Sequence, residues 1–168
     1  MKKVFCLGMA LVLASSYLMA ARPARPFEGV SFDGRRVSLD ALRGKAAVLM
    51  FFSTDCPHCQ DSARRIDPIY RELRREGFEM VGLSLNQTNH AGLREFASRF
   101  GASFPLALSS RLEFSRISGV SVMTHIYYPY LLFLDREGNI QEEHQGSERA
   151  WFSELELNFR AAVGRLLR

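Results

Sequence analysis

Cysteine is scarce in this sequence, which has only three cysteines among 168 residues: Cys6, Cys56 and Cys59. A small scaffold held together by several disulfides is therefore excluded. A structural zinc site built from four cysteines is excluded for the same reason. With 47% hydrophobic residues, the chain can form a core without disulfides, so its cysteines are more suited to reactive chemistry than to cross-linking.

The net charge is small, and charges of one sign do not cluster. The chain has 22 basic and 18 acidic residues, and arginines are mixed with acids, as in residues 71–76. This mixing is typical of a solvated helix face and not of a nucleic-acid-binding surface. We therefore expect no nucleic-acid partner.

The N-terminus is basic and then uncharged: Met1-Lys2-Lys3 precedes residues 4–21, which carry no charge. The small residues at the end of this run predict a signal peptide cleaved near Ala20 or Ala21, with an uncleaved membrane anchor as the alternative. We therefore divide the chain into a targeting segment, residues 1–21, and one folded domain, residues 22–168. The predicted location is periplasmic or otherwise extracytoplasmic, at the inner membrane if residues 4–21 are retained.

Hydrophobic periodicity predicts alternating strands and helices. Two continuous apolar runs, residues 46–52 and 130–134, are typical of strands, and residues 78–85 are predicted to form another buried strand. Helical patterns alternate with them and end the chain: residues 56–76, 89–100, 111–117 and 147–167, the last with Ser147 as cap. Turn signals at 33–34 and 135–139 add two hairpins. The pattern predicts an α/β fold with a mixed central sheet flanked by helices.

The motif Cys56-Pro57-His58-Cys59 directly follows the apolar run at residues 46–52. Two thiols at this spacing can close a disulfide within one helical turn, at the edge of the sheet where the strand ends. At the start of a helix, Cys56 would meet unpaired N–H groups and the positive end of the helix dipole, which lower the pKa of a thiol. We predict thiol–disulfide exchange, with Cys56 as the nucleophile and Cys59 as the resolving thiol.

The neighbouring residues are predicted to tune this pair. Pro57 restricts the backbone, and a protonated or hydrogen-bonding His58 would stabilise the thiolate, which favours the reduced form and an oxidising couple. Asp55 acts in the opposite sense, because a nearby carboxylate raises the pKa of a thiol. The sequence is compatible with electron flow in either direction.

A second region of interest precedes the strand at residues 130–134. Pro129 would either be trans and block a sheet edge, or be cis in a tight turn. Tyr127, Tyr128 and Tyr130 would serve either for packing or as an apolar rim for a protein substrate. His125 is interpreted as a loop residue, with a role beside the thiols as the alternative.

In their order along the chain, three segments resemble the thioredoxin-like superfamily and, within it, the exported TlpA/ResA-like thiol–disulfide oxidoreductases. They are a hairpin with a Gly-Lys lead-in, an active-site loop, and a proline followed by a strand and a turn: residues 32–45, 51–59 and 129–140. The resemblance extends from residue 27 to residue 168. It implies a thioredoxin-like fold with an extra N-terminal β-hairpin, a cis Pro129 lying against Cys56, and substrate binding by Tyr128 and Pro129.

The resemblance also implies exported thiol or disulfide-bearing proteins as substrates, such as apocytochromes or misoxidised proteins, and a membrane-embedded redox partner. The sequence departs from the family pattern at three positions. Asp55 replaces a tryptophan, Met50 replaces the buried acid of thioredoxins, and Ser62 replaces a glutamate of the cytochrome-maturation members. The last two changes remove candidate proton carriers for Cys59 and weaken the case for a dedicated cytochrome-maturation reductant. The Pro-His dipeptide matches strongly oxidising relatives instead.

Three other functions are alternatives. A peroxiredoxin-like thiol peroxidase would share the fold, and Ser53 fits its motif, but Leu49 stands where that motif has proline. A copper-delivery protein of the superfamily has three residues between its cysteines, so the spacing here argues against it. A zinc site would need histidine ligands in addition to Cys56 and Cys59. The available histidines are not spaced as zinc ligands usually are: His58, His90, His125 and His144. We expect no metal and no cofactor.

Overall fold

A computed structural model describes residues 22–168, and the predicted targeting segment, residues 1–21, lies outside the described residues. Within the described part there are eight strands: β1 Arg22–Pro23, β2 Glu28–Val30, β3 Arg36–Ser38, β4 Ala46–Phe52, β5 Phe78–Ser84, β6 Leu106–Leu108, β7 Tyr130–Leu134 and β8 Asn139–Gln145. The same residues form six α-helices: α1 Leu39–Leu42, α2 Pro57–Leu73, α3 His90–Phe100, α4 Arg111–Ser118, α5 Arg149–Ser153 and α6 Leu155–Leu167. No helix in this range has the length and apolar character needed to cross a bilayer.

The central sheet is mixed, as predicted. Its strands are ordered β1-β8-β7-β4-β5-β6, with β4, β5 and β6 parallel to one another. The neighbouring strands β7, β8 and β1 pair antiparallel. Helices connect the parallel strands, because a chain must cross over the sheet to start a parallel neighbour. A tight turn connects β7 to β8, because antiparallel neighbours need no crossover.

Strand β4 lies at the centre of the molecule, and all seven of its residues are buried. Its side chains alternate between two cores because successive residues of a strand point to opposite faces. Val48, Met50 and Phe52 pack with α2, α3 and α6, whereas Leu49 and Phe51 pack with α1, α4 and the β2–β3 hairpin. The continuous apolar run that predicted this strand reflects burial on both faces.

The predicted N-terminal hairpin is present, since β2 and β3 pair antiparallel with Gly29 opposite Val37. A single bridge between Ser31 and Ala107 joins the hairpin to β6. The linker before the hairpin contains an element that the sequence did not predict, because Arg22–Pro23 forms edge strand β1 beside β8. This two-residue strand forms because it pairs with β8, and its local sequence pattern does not predict it.

The C-terminal helix differs from the prediction, because it is divided at Glu154 into α5 and α6. Ser147 is not the cap. Glu148 precedes α5 instead, and its carboxylate accepts a hydrogen bond of 2.7 Å from the backbone N–H of Gln145. Leu157 of α6 is 66% exposed, because it lies two residues after the buried Leu155 and therefore on the opposite side of the helix.

The buried carboxylate of Asp67 connects helix α2 to the segment between α3 and β6. Asp67 in α2 accepts hydrogen bonds from the backbone N–H and the hydroxyl of Ser103, at 2.6 and 2.7 Å. Arg71, one turn along, approaches the same carboxylate at 2.9 Å. These contacts hold the segment between α3 and β6 against α2.

Candidate active site

The cysteine motif lies where β4 ends and α2 begins. Cys56 is the N-cap residue of α2 with extended backbone angles, and Pro57 occupies the first turn, where its missing N–H breaks no helical bond. The loop before it is tied to the end of β5 by Asn86, whose side chain bonds to the backbone N–H and the hydroxyl of Thr54 at 3.1 and 2.9 Å. Sequence reasoning missed Asn86, because only the parallel pairing of β4 with β5 brings it there.

The two thiols are close together but differ in exposure. Both are free in this structure; Cys56 is half-buried, whereas Cys59 is 0% exposed. The sulfur of Cys56 accepts a hydrogen bond from the backbone N–H of Cys59 at 3.3 Å. The predicted geometry of one accessible and one deeper thiol is therefore present.

The surroundings separate the acidities of the two thiols. The hydrogen bond from the Cys59 side chain is the largest effect lowering the pKa of Cys56 to about 6, and the backbone N–H groups of Cys59 and His58 also lower it, while partial burial opposes them. Burial raises the pKa of Cys59 far above its usual range, and the adjacent Cys56 raises it further. Sequence reasoning anticipated the backbone donors but not the donor role of the Cys59 thiol.

The tuning candidates lie at the surface. Pro57, His58 and Asp55 are all exposed. His58 also lowers the pKa of Cys56 through its charge. The carboxylate of Asp55 accepts a hydrogen bond from the hydroxyl of Ser53 and contributes to the raised pKa of Cys59.

The Tyr128–Pro129 peptide bond is cis, as the family resemblance implied. The carbonyl oxygen of Tyr128 lies 4.0 Å from the sulfur of Cys56, so this turn forms one wall beside the reactive thiol. Gly146 packs directly behind it, because a Cβ atom there would lie 2.2 Å from that same oxygen. Gly146 is a second position that the sequence did not reveal, since the close approach is between distant parts of the chain.

A groove of about 220 Å³ lies beside the motif, between α2, the Tyr128–Pro129 turn and α5. His58, Pro129 and Phe152 contribute to its walls. Ser62 also lines the groove, and Met50 is buried in the core, so neither position supplies a carboxylate to Cys59. Among residues 22–168, no group of three or more histidine, cysteine or acidic side chains is arranged to hold a metal ion.

The three tyrosines near the cis-proline turn, Tyr127, Tyr128 and Tyr130, differ in burial. Tyr130 is buried, with its ring 5.1 Å from that of Phe114, and therefore serves packing. Tyr127 is exposed and Tyr128 is half-buried, so both reach the surface near Cys56. His125 is exposed in the same loop and meets the ring of Tyr127 edge-on at 4.7 Å.

A family model described as Redoxin matches residues 19–157. This chain belongs to the Redoxin family. The Redoxin chain is 25% identical to the thiol-disulfide oxidoreductase ResA of Halalkalibacterium halodurans over 131 residues, which are 78% of this chain and 71% of that protein. It is 23% identical to the ResA of Bacillus thuringiensis over 131 residues, 78% of this chain and 72% of that protein.

Solved structures resemble the Redoxin chain over most of its length. A thiol:disulfide interchange protein of the thioredoxin family from Chlorobium tepidum matches with a TM-score of 0.73 at 22% identity, covering 88% of this chain and 97% of that one. A secreted disulfide oxidoreductase from Mycobacterium tuberculosis matches with a TM-score of 0.65 at 19% identity, covering 83% and 96%. These structures confirm the predicted thioredoxin-like fold. The family match and the ResA relatives confirm the predicted superfamily.

Proposed function

We propose that this Redoxin-family protein catalyses thiol–disulfide exchange on exported proteins through Cys56 and Cys59. The pairing of an accessible, acidic thiol with a buried, protonated one carries this proposal. With a pKa of about 6, Cys56 is mostly thiolate at neutral pH, and the thiolate is the form that attacks a disulfide. Relatives named as thiol-disulfide oxidoreductases support the same reaction.

Reduction of a substrate disulfide proceeds in two displacements. The Cys56 thiolate attacks one substrate sulfur, the substrate S–S bond breaks, and a substrate thiolate leaves as the mixed disulfide forms. Cys59 then gives up its proton to the first substrate thiolate and attacks the sulfur of Cys56, which releases the second substrate sulfur as a thiolate. Two electrons have then passed to the substrate, and the protein holds a Cys56–Cys59 disulfide; oxidation of a dithiol follows the reverse order.

The raised pKa of Cys59 fits this sequence of events. While Cys56 is an anion, the protonated Cys59 thiol donates to it and does not compete as a nucleophile. Formation of the mixed disulfide removes that anion, and with it one of the effects that hold the proton on Cys59. Resolution is thereby favoured only after the first displacement.

Substrate presentation is assigned to the turn beside Cys56. Tyr128 would accept a hydrogen bond from a substrate N–H through its carbonyl oxygen, which lies 4.0 Å from the attacking sulfur. Pro129 is buried and would hold that carbonyl in place. Pro57 and His58 would tune the couple, His58 through its N–H group and its charge.

We also propose an extracytoplasmic location, with residues 1–21 as the targeting segment and residues 22–168 as the thioredoxin-like domain. The basic start followed by an uncharged run supports this division. A structurally similar protein that is itself secreted supports the location. Repeated turnover would then require a second redox protein, for which a membrane-embedded partner is the proposed class.

Two variants test the exchange mechanism directly. Cys56→Ser is expected to abolish exchange with a test disulfide, and Cys59→Ser is expected to accumulate mixed disulfides through Cys56, detected by mass spectrometry. Exchange at the normal rate by Cys56→Ser would refute the assignment. Peroxide consumption and Cu(I) titration of the wild-type protein test the peroxidase and copper-delivery alternatives.

The reduction potential decides the direction of electron flow. Stabilisation of the Cys56 thiolate favours the reduced protein and therefore shifts the couple in the oxidising direction. A reduction potential of about −120 mV would identify an oxidant, and one of about −270 mV would identify a reductant.

A further inference from the structure

The connection between β8 and α5 is closed by two hydrogen bonds between its first and last residues. The backbone N–H of Gln145 donates to one carboxylate oxygen of Glu148 at 2.7 Å. The backbone N–H of Glu148 donates to the carbonyl of Gln145 at 2.8 Å. We call residues 145–148 the support turn. The side chain of Glu148 therefore helps to fix the shape of this turn.

The second carboxylate oxygen of Glu148 is held by His144, which precedes the support turn. The Nδ1 atom of His144 lies 2.7 Å from this oxygen and is the donor, because an ionised carboxylate only accepts hydrogen bonds. The imidazole ring is itself fixed, since it stacks on Trp151 with the ring centroids 4.2 Å apart and 17° between the planes. The Glu148 carboxylate thus bridges a well-packed side chain and the backbone of the support turn.

The support turn holds the residue that precedes the substrate-binding turn. The side-chain oxygen of Gln145 accepts a hydrogen bond from the N–H of Tyr127 at 3.2 Å, and the N–H of Gly146 donates to the carbonyl of Tyr127 at 3.2 Å. Gly146 also packs against the carbonyl oxygen of Tyr128, which lies 4.0 Å from the sulfur of Cys56. A shift of the support turn would therefore move that carbonyl relative to the reactive sulfur.

We propose that Glu148 is a positioning residue for disulfide exchange, because it fixes the support turn that holds the Tyr128 carbonyl beside Cys56. The inference rests on the proposed function, in which this carbonyl accepts a hydrogen bond from a substrate N–H. Glu148 acts through Gln145 and Gly146 and has no contact with the substrate. The contribution is large enough to measure, because a misplacement of about 1 Å in a group that orients a substrate can lower the rate by up to about 100-fold.

Two disulfides that release the same leaving group separate substrate presentation from the reactivity of Cys56. One is a short peptide whose single cysteine is disulfide-bonded to thionitrobenzoate. The other is dithiobisnitrobenzoate, which has no peptide N–H to donate to the Tyr128 carbonyl. With the peptide, the Cys56 thiolate attacks the peptide sulfur, the S–S bond breaks, and coloured thionitrobenzoate leaves with the bonding electrons. Cys59 then loses its proton to solvent, displaces the peptide thiolate and leaves the Cys56–Cys59 disulfide.

Two substitutions at Glu148 distinguish its hydrogen bonds from its charge. Glu148→Ala removes both acceptor oxygens and is expected to lower the second-order rate constant for the peptide about 10-fold, with less than about a 2-fold change for dithiobisnitrobenzoate. Glu148→Gln is expected to restore the peptide rate to within about 2-fold of wild type. Its amide oxygen can accept from the N–H of Gln145, and its NH₂ group can donate to Nδ1 of His144 in the other tautomer.

The variant Gln145→Ala tests the next contact in the series, because it removes the acceptor of the Tyr127 N–H and keeps the backbone bonds to Glu148. It is also expected to slow the peptide selectively, and it decides the question if Glu148→Ala does not fold in a urea denaturation assay. The matched control is Asp135→Ala, at the opposite end of β7 and β8. The Asp135 carboxylate likewise accepts from backbone N–H groups, those of Glu137 and Asn139 at 3.0 and 2.8 Å. This control is expected to keep the wild-type ratio of the two rate constants.

The outcomes separate this inference from the proposed function. Equal slowing of both disulfides in Glu148→Ala, a Glu148→Gln protein as slow as Glu148→Ala, or a normal peptide rate in folded Gln145→Ala would overturn the positioning role. The same selective loss in Asp135→Ala would also overturn it, because any weakening of the β7–β8 hairpin would then suffice. In each of these cases the exchange reaction stands. Failure of the wild-type protein to react with either disulfide would instead refute the proposed function.

Discussion

Removal of the Cys59 thiol should raise the pKa of Cys56. The hydrogen bond from that thiol is the largest effect lowering the pKa of Cys56 from 9.0 to about 6. The backbone N–H of Cys59, 3.3 Å from the Cys56 sulfur, remains in Cys59→Ala, so part of the stabilisation should persist. Loss of the thiol donor should therefore raise the pKa of Cys56 above its wild-type value of about 6 and lower the thiolate fraction at neutral pH.

The rate of alkylation of the reduced protein by iodoacetamide, measured from about pH 4 to pH 10, reports the titration of Cys56. Cys59→Ser serves as the matched variant, because its hydroxyl group can still donate to the Cys56 sulfur. The midpoint should therefore be higher in Cys59→Ala than in either the wild-type protein or Cys59→Ser. Since Cys59 is buried, its own alkylation should contribute little in the wild-type protein.

Equal midpoints in the two variants and the wild-type protein would show that the thiol donor has no effect. A wild-type midpoint near 9.0, the ordinary value, would refute the whole electrostatic account of Cys56. The same shift predicts how the stability of the reduced protein depends on pH. Because the pKa of Cys56 is lower in the folded than in the unfolded chain, the stabilising contribution is complete above about 9 and is lost as pH falls through about 6.

Three further predictions follow from packing and charge. Gly146→Ala should destabilise the protein by about 1–3 kcal/mol in urea denaturation and slow disulfide exchange, because the new Cβ would lie 2.2 Å from the Tyr128 carbonyl oxygen. The control is Gly164→Ala, whose Cβ would meet nothing within 4 Å. It should leave both stability and exchange unchanged or should stabilise the protein. Asp67→Ala should lower the free energy of unfolding by about 1–3 kcal/mol, measured with urea, because two Ser103 donors lose their acceptor; an unchanged value would contradict this reading. His58→Ala should make the reduction potential more negative by about 30 mV, measured against glutathione, and an unchanged potential would reject its tuning role.

Where the local pattern is strong, the sequence predicted the elements well. The apolar run at residues 46–52 is strand β4 with the same bounds. Helix α3 begins after Asn89, which caps it, and ends at Gly101, whose φ of 73° is one that glycine adopts easily. Both predictions depend on the chemistry of adjacent residues, which is why sequence alone sufficed.

Where distant segments decide the structure, the sequence predictions were incomplete or wrong. The helix predicted for residues 147–167 is broken at Glu154, and the carboxylate of Glu148 is engaged by Gln145 of β8. Asn86 and Gly146 support the site, but their roles depend on which strands and turns lie beside them. No periodic pattern encodes such contacts.

The sequence by itself determined the strand–helix junction that carries the two thiols, because strand burial, helix capping and the spacing of Cys56 and Cys59 are local properties. Only the tertiary structure decided what surrounds those thiols. It buries Cys59 and brings the Tyr128 carbonyl to 4.0 Å from the sulfur of Cys56. The physical reason is that acidity and recognition depend on groups brought together through space, which lie far apart along the chain.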